Sequence, residues 1–516
     1  MTFTLDNIFD GLGLPAAIMP TGVKVVRVPL ALPLKPHQEV EVDALFADPN
    51  KPYKYYGAEM GVGKTVILIA VVASVLAAHS GGTAVVVVPP SMRTTWQREF
   101  ARFAPWLKVH VVRGATESLP TADVYVVGDA LLYSGFKPEK GKKYEQVQYL
   151  SDTAKLLSNN CVCMGVDEAH RFKNKSGRTE ALRALAGTVS GYKVEMSGTI
   201  TPNGRHMELP SQIDILGPDA WTDIGGKGRF FNYFAPKIDE YARGNANGEE
   251  LHNLMVGSWY RRILRDDIPD LFTLPDGTVI KIYKGREAIA LEGAPGKAVE
   301  DYLLAEEDLI EYLKGEGRNT RGAERAEAIV KMTTLRILAG KVKVLAAIER
   351  AKEILDEIPG GLFIAAEHHP VIDGLMAGLA KYKPVKLTGG MSDKAKQEAI
   401  DAFCSGESRV FIGQTTAAGV GLTLHGGGIN HRALIVQLPW TPADLTQLED
   451  RLFRIGQIHD VQIEVGLAAI DGCWTIDERL WSMLETKQFN STTITDGKGE
   501  WLLEEATDAL LDSYRQ

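Results

Sequence analysis

Cysteine is scarce: four residues in 516 (Cys161, Cys163, Cys404, Cys473), and no two stand as a CxxC pair. That excludes a disulfide-stapled secreted scaffold and a zinc knuckle. Cys161 and Cys163, two apart in an apolar run, read as residues of a buried strand. Long apolar runs are lacking as well. The longest, Val66–Ala78, is too short to span a bilayer and contains Ser74, so it predicts a buried helix and no membrane partner. The opening MTFTLDNIFDG has neither a basic n-region nor an apolar h-region, so no signal peptide is expected. A soluble cytoplasmic protein is the expectation. An excess of positive charge is also missing: 57 Lys plus Arg stand against 66 Asp plus Glu, net −9. Bulk charge therefore does not hold this chain to a polyanion. Most of the deficit lies in residues 341–516, whereas 171–178 is locally basic, with Arg171, Lys173, Lys175 and Arg178 and no acid.

What is present is the balance of an ordinary globular chain, 45% hydrophobic and 24% charged, with room for several domains. Short Val- and Ile-rich runs alternate with longer helical patterns, the signature of parallel α/β layers. Strands are expected at 84–90, 124–128, 161–168 and 193–199 in one half, and at 361–367, 409–415 and 433–438 in the other. Between the halves the texture turns Gly-rich (GGKG, GNANG) and then charged and helical. The expected organisation is an N-terminal extension (1–30), an α/β lobe (31–220), a helical insertion and brace (221–340), a second α/β lobe (341–490) and an acidic tail (491–516).

Three segments carry chemistry. In Ala58-Glu-Met-Gly61-Val-Gly63-Lys64-Thr65, glycines let backbone N–H groups turn toward a phosphate. Lys64 supplies charge to the β and γ phosphates, and the Thr65 hydroxyl suits Mg²⁺. The apolar helix after it is the context this loop requires. In Val166-Asp167-Glu168-Ala169-His170, a strand-end Asp can hold Mg²⁺ through water and the adjacent Glu can orient an attacking water. In QLEDRLFRIGQ (447–457), Arg451 and Arg454 are three apart, so on a helix they share a face and suit a γ-phosphate. His368 and His369 lack a third ligand at suitable spacing and read as packing residues, and FKPEKGKK (136–143) reads as a solvated loop.

In this order the segments resemble the superfamily-2 helicase motifs, and specifically the Swi/Snf family of DNA translocases. LKPHQ (34–38) resembles the family's adenine-reading element. AEMGVGKT is similar to its DEMGLGKT, with Ala58 where Asp is common. DEAHRFKN (167–174) matches its remodeller-type extension, and SGTITPN (197–203) its coupling motif, with Ile200 where Pro is usual. TTAAGVGLTL (415–424), PWTP (439–442), QLEDRLFRIGQ and TIDE (475–478) complete the set. TAAGVGLTL with HHPVID (368–373) most resembles the annealing-helicase branch, and RRILRDDIPDLFTLP (261–275) resembles the brace between lobes.

The resemblance implies two RecA-like parallel-sheet lobes in tandem, with ATP and Mg²⁺ between them and double-stranded or branched DNA across both. It implies that Gln38 reads adenine and that Gly61, Gly63, Lys64 and Thr65 cradle phosphates, with Thr65 and Asp167 on the metal. Glu168 would be the catalytic base, and Gly419 and Gly421 would line the second-lobe side. Arg451 and Arg454 would engage the γ-phosphate, Arg454 as the finger. Ser91, Gly128, Asp129, Thr415 and Thr416 stand where the family touches DNA phosphates, and Arg171 and Lys173 belong to the densest basic run near a motif. The expected activity is a DNA-dependent ATPase remodelling forks or annealing strands, as a monomer in a bacterial or virus-infected cytoplasm. The alternatives are a DEAH-type RNA helicase, against which RFKN and RIGQ argue, and a catalytically idle scaffold.

Overall fold

The computed structural model describes residues 24–59, 61–116, 118–137, 146–202, 204–238, 243–268, 284–293, 296–315, 323–415, 424, 431–453, 459–484 and 514. They divide into two compact units, one ending at Ile268 and the other following it in the chain.

The first unit is built on seven strands: β1 (Tyr53–Ala58), β2 (Thr83–Val88), β3 (Val109–Val111), β4 (Val124–Gly128), β5 (Cys161–Val166), β6 (Tyr192–Ser197) and β7 (Tyr260–Ile263). Their spatial order is β3-β4-β2-β5-β6-β1-β7, and every pairing is parallel. Strands covered by helices on both faces read as continuous apolar runs. That is why β5 is buried along its whole length, with Cys161 and Cys163 both free thiols inside. Burial pushes the Cys163 thiol above its ordinary range.

Between β1 and β2 runs the helix α2 (Lys64–Ala78), preceded in the chain by α1 (Pro36–Leu45). The apolar run of α2 is buried from Ile67 to Val75 because the helix lies directly on the sheet. At Gly165 of β5 an added Cβ would come 2.5 Å from Leu68. Ser74, the one polar residue of the buried stretch, donates to Ala70 O at 2.7 Å and accepts from Val28 N at 3.0 Å. Both of its hydrogen-bonding roles are met inside the core.

The second unit contains β8 (Lys284–Glu292), β9 (Leu362–Ala366), β10 (Val385–Leu387), β11 (Val410–Gln414), β12 (Arg432–Ile435) and β13 (Val461–Ala469). Their order is β10-β11-β9-β12-β13-β8, again parallel throughout. Two tandem RecA-like sheets are thus the fold. Each expected strand forms, most within two residues of the expected bounds, and the last, Arg432–Ile435, stops three residues short of 438.

The segment expected as an insertion is shared between the units. Trp221, Phe230, Phe234 and Trp259 lie in the same buried cluster as β1, β2 and β5. The part from β8 onward packs in the second unit, where β8 pairs along β13 and two long helices, Lys297–Gly315 and Ala323–Glu357, contribute to one core. The two glycine runs border short helices, Gly226–Arg229 and Gly248–Val256, and the aromatic residues between them, Phe230 and Phe234, join the first unit's core.

His206 illustrates that burial. Its ring is nearly inaccessible, and Nδ1 donates to Phe234 O at 2.5 Å, which fixes the tautomer, since a carbonyl only accepts. Burial pulls the imidazole down from 6.5 to about 4. The unfolded chain therefore binds the extra proton first, and stability present above pH 6.5 is lost as pH falls toward 4. Roughly 3 kcal/mol is at stake over that window. Urea denaturation of the wild type and of His206→Gln at pH 7 and pH 4.5 checks this. The wild type should lose more stability on acidification than the variant.

Candidate active site

The first unit's sheet presents its functional segments at the carboxyl ends of neighbouring parallel strands, where open α/β sheets bind ligands. The β1–α2 connection is the phosphate-type loop. Gly61 and Gly63 take φ of +87° and +89°, a backbone region open to glycine at no steric cost. α2 begins at Lys64, and Val66 and Ile67 are its first residues to bond back to Gly63 O, at 3.1 and 3.2 Å. The helix thus points its N-terminus, with positive dipole and N–H groups, into the loop. Lys64 Nζ folds across this concavity and donates to Ala58 O at 2.6 Å and Glu59 O at 3.0 Å. Its charge therefore sits at the mouth of the loop, on carbonyls that an anion can replace. Thr65 follows it on the first turn, half-buried.

α1 brings the adenine-reading candidate to this loop. Gln38 is buried, and its Oε1 accepts from Lys35 N at 3.0 Å. Its Nε2 packs on Gly63 so closely that a Cβ there would lie 2.2 Å away. His37 Nε2 donates to Val62 O at 3.1 Å. Position 63 therefore needs glycine twice, once for φ and once for Gln38.

Asp167 and Glu168 follow β5 directly. Asp167 N–H continues the ladder to Val87 O at 2.8 Å. Its carboxylate accepts from Trp96 Nε1 at 3.0 Å and from Glu168 N at 3.0 Å. Burial, and then the Glu168 carboxylate beside it, push the Asp167 carboxyl up to about 7, against the pull of Trp96 and the Lys64 ammonium. Oxygen donors of this kind, Asp167 with the Thr65 hydroxyl, are what Mg²⁺ takes, so the residues fit that ion.

Glu168 adopts the left-handed region, φ +51°, which is uncommon for a residue with a side chain. The surrounding bonds hold it there. His170 Nδ1 lies 3.3 Å from Glu168 Oε2 and 2.7 Å from Ser197 Oγ. Ser197, the last residue of β6, also donates to Thr199 O at 2.8 Å. The strand-end carboxylate and the SGTIT segment are thereby joined through one imidazole.

The DNA-contact candidates fare differently from one another. Ser91 is exposed, in a short turn after β2. Gly128 is buried at the end of β4. Asp129 is buried too, and its carboxylate accepts from Arg171 Nε and Nη2 at 3.1 and 2.9 Å, with Arg178 Nη1 at 3.7 Å. Lys173 Nζ pairs with the buried Glu208 at 2.9 Å. Three cations of the basic run are thus held by acids of their own unit, which the sequence pattern could not show.

In the second unit Thr415 is buried, its hydroxyl without a hydrogen-bond partner among the described residues. Thr416, Gly419, Gly421 and Arg454 lie outside the described residues. Arg451 lies just past the helix Pro442–Glu449, in a turn where its N–H bonds to Leu448 O at 3.1 Å, and Arg454, expected to share a helical face with it, is outside the described residues. Arg451 itself is fully buried, and its carbonyl accepts from Leu424 N at 2.9 Å. His368 is half-buried beside Gln437, 3.0 Å from its Nε2, and no His, Cys, Asp or Glu group among the described residues could hold a metal ion in a three-ligand cluster.

Sequence reasoning passed over Trp96 and did not assign its own RRILR string to this site. Trp96 shares a helical spacing with Phe100 and Phe103, so it reads as core; only its Nε1 contact with Asp167 shows otherwise.

Two family models match the chain in tandem, the SNF2-related domain over residues 57–284 and the helicase conserved C-terminal domain over 346–456. Among curated proteins, the human DNA annealing helicase and endonuclease ZRANB3 is 25% identical over 467 residues, covering 87% of this chain and 39% of that protein. The Caenorhabditis elegans homologue of SWI/SNF-related matrix-associated actin-dependent regulator of chromatin subfamily A-like protein 1 is 25% identical over 446 residues, covering 83% of this chain and 57% of that protein. The chain thus spans well under two thirds of the length of these relatives. Among solved structures, the Sulfolobus solfataricus SWI2/SNF2 ATPase core in complex with dsDNA has a TM-score of 0.40 and 19% identity, over 92% of this chain and 95% of that one.

Proposed function

This chain belongs to the Swi/Snf family of superfamily-2 ATPases, and from that premise we propose that it hydrolyses ATP to drive movement on double-stranded or branched DNA. Fork remodelling or strand annealing is the reading that the likeness to annealing helicases supports. The observation that carries it is the convergence of the Lys64 loop, Asp167–Glu168 and the Ser197 segment at adjacent strand ends, joined by His170.

Lys64 exchanges the carbonyls of Ala58 and Glu59 for phosphate oxygens as ATP enters, and the loop N–H groups share the charge. Gln38, resting on Gly63, turns the base site and the phosphate loop into one surface. Thr65 and Asp167 hold Mg²⁺, which when bound supplies charge neutralisation to the phosphates. Glu168 is the group that orients water and takes its proton, and His170 holds it against Ser197. Arg451 and Arg454 of the second unit are proposed as the cationic partners of the γ-phosphate. No described helix is long and apolar enough to cross a membrane.

The test is the ATPase rate with no polymer and with duplex DNA, forked DNA, single-stranded DNA and RNA. Duplex or forked DNA should stimulate most. Stimulation by RNA alone overturns the reading.

A further inference from the structure

The final strand of the first unit and the turn after it carry three arginines that touch α1, the phosphate loop and the segment after β6. Arg261 grips Glu41 of α1 through two bonds, 2.9 and 2.7 Å. Arg265 donates its main-chain N–H and its Nε to the carboxylate of Glu59, in the phosphate loop, at 2.8 and 3.3 Å. Arg262 Nη1 donates to two main-chain carbonyls, Gly57 at 3.2 Å and Gly198 at 3.1 Å. We propose that Arg262 is a positioning residue for ATP hydrolysis, bridging the strand end that enters the phosphate loop to the segment that holds the catalytic base. This rests on the nucleotide-site reading above.

The topology makes the bridge specific. β1 lies between β6 and β7, so the guanidinium must pass over β1 to reach Gly198, the residue after β6. Arg262 is in register with Gly57, and Tyr260, two residues earlier, shares its face of the sheet. A Cβ at Gly57 would lie 2.4 Å from the Tyr260 ring. The bare glycine is what lets Tyr260 and Arg262 lie across this strand.

The chemistry follows from charge. Carbonyl oxygens at the ends of parallel strands face the end where the triphosphate binds, and a cation that engages them offsets that unfavourable field. From Gly198 the effect passes to Ser197, then to His170 at 2.7 Å and Glu168 at 3.3 Å. The Gly57 bond bears on substrate binding, whereas the Gly198 bond bears on the base. Glu59 already has its own anchor in Arg265, so the loop is held without Arg262. Loss of Arg262 therefore weighs on turnover more than on affinity. A lysine is a point charge on a flexible stem and does not reproduce a rigid nitrogen with two fixed hydrogens.

Arg262→Gln and Arg262→Lys are to be compared with the wild type and Glu168→Gln in steady-state ATPase assays and thermal unfolding. Arg262→Gln should lose about 10- to 100-fold in kcat, the scale of a misplacement near 1 Å. Its KM for ATP should move less than about threefold, and Arg262→Lys should not restore the rate. In Arg262→Ala, millimolar guanidinium should recover part of kcat without raising Tm, a response that a purely structural role does not give. The proposal is overturned if folded Arg262→Gln or Arg262→Lys turns over at the wild-type rate, if only KM rises, or if guanidinium recovers rate only by raising Tm. A wild type without ATPase activity would instead sink the nucleotide-site reading itself.

Discussion

Glu168→Gln should lower ATP turnover by about 10²- to 10⁴-fold, the range that one positioned general base contributes, while ATP binding stays near the wild-type level. The amide keeps the size of the carboxylate and its capacity to accept from His170, 3.3 Å away, but it cannot take a proton from water. The backbone at this position, φ +51°, is an unfavourable conformation that both residues share, so the substitution does not change the strain. Lys64, Gln38 and the loop glycines, which bind the nucleotide in the proposed mechanism, are untouched. The measurement is kcat under saturating ATP beside a titration with a fluorescent ATP analogue. Near-normal turnover, or severe loss of nucleotide affinity, would mean that the base is misassigned.

Asp477→Ala should destabilise the second unit by about 3–5 kcal/mol, the cost of leaving one partner of a buried ion pair alone. Lys343 is fully inaccessible, and its ammonium bonds to the Asp477 carboxylate and to Gly466 O at 2.7 Å. Burial drives the Lys343 amine down, and Asp477 is the first group that opposes it. The same Asp477 oxygen accepts from Ala468 N at 3.0 Å, at the end of β13. Removing it orphans a cation and a strand-end N–H together. Urea denaturation of the second unit measures the loss, and the paired change Lys343→Met with Asp477→Leu should recover much of it, because no uncompensated charge then remains. A loss below about 1 kcal/mol would mean that Lys343 finds water or another acceptor.

This pair also gives the TIDE segment a physical account. Glu478 accepts from Thr475 N at 2.8 Å and its own N–H donates to Thr475 Oγ1 at 3.4 Å, a reciprocal cap for the turn that presents Asp477, and Thr475 Oγ1 donates to Ala468 O at 2.7 Å. As a string, TIDE is a resemblance. In the fold it is the latch between β13 and the helix Ala323–Glu357, in which Lys343 sits.

Much of this molecule was legible in its sequence because the signals were local. A loop that needs positive φ needs glycine, so Gly61 and Gly63 mark the turn before any fold is known. A parallel strand covered on both faces must be continuously apolar, so the strands stand out as Val-rich runs. An Asp–Glu pair at the end of such a run is costly without cations or donors, so its presence already points to chemistry. Net charge, by contrast, said little: the basic run at 171–178 spends Arg171, Arg178 and Lys173 on Asp129 and Glu208, acids 40 or so residues away in either direction.

What only the tertiary structure decided are the partners that long-range topology brings together. Trp96 on Asp167, Gln38 on Gly63, Lys343 on Asp477 and Arg262 across Gly57 join residues that no helical or strand period relates. Arg262 across Gly57 depends on the order β6-β1-β7, Trp96 on Asp167 on the pairing of β2 with β5, and Lys343 on Asp477 on the long helix that packs beside β13. The sequence by itself determined the elements and the chemistry at their ends, because backbone sterics and apolar periodicity act over a few residues. Which ends meet, and which buried charge finds its counter-charge, required the packed sheets, because desolvation and hydrogen bonding are settled only where separate segments converge.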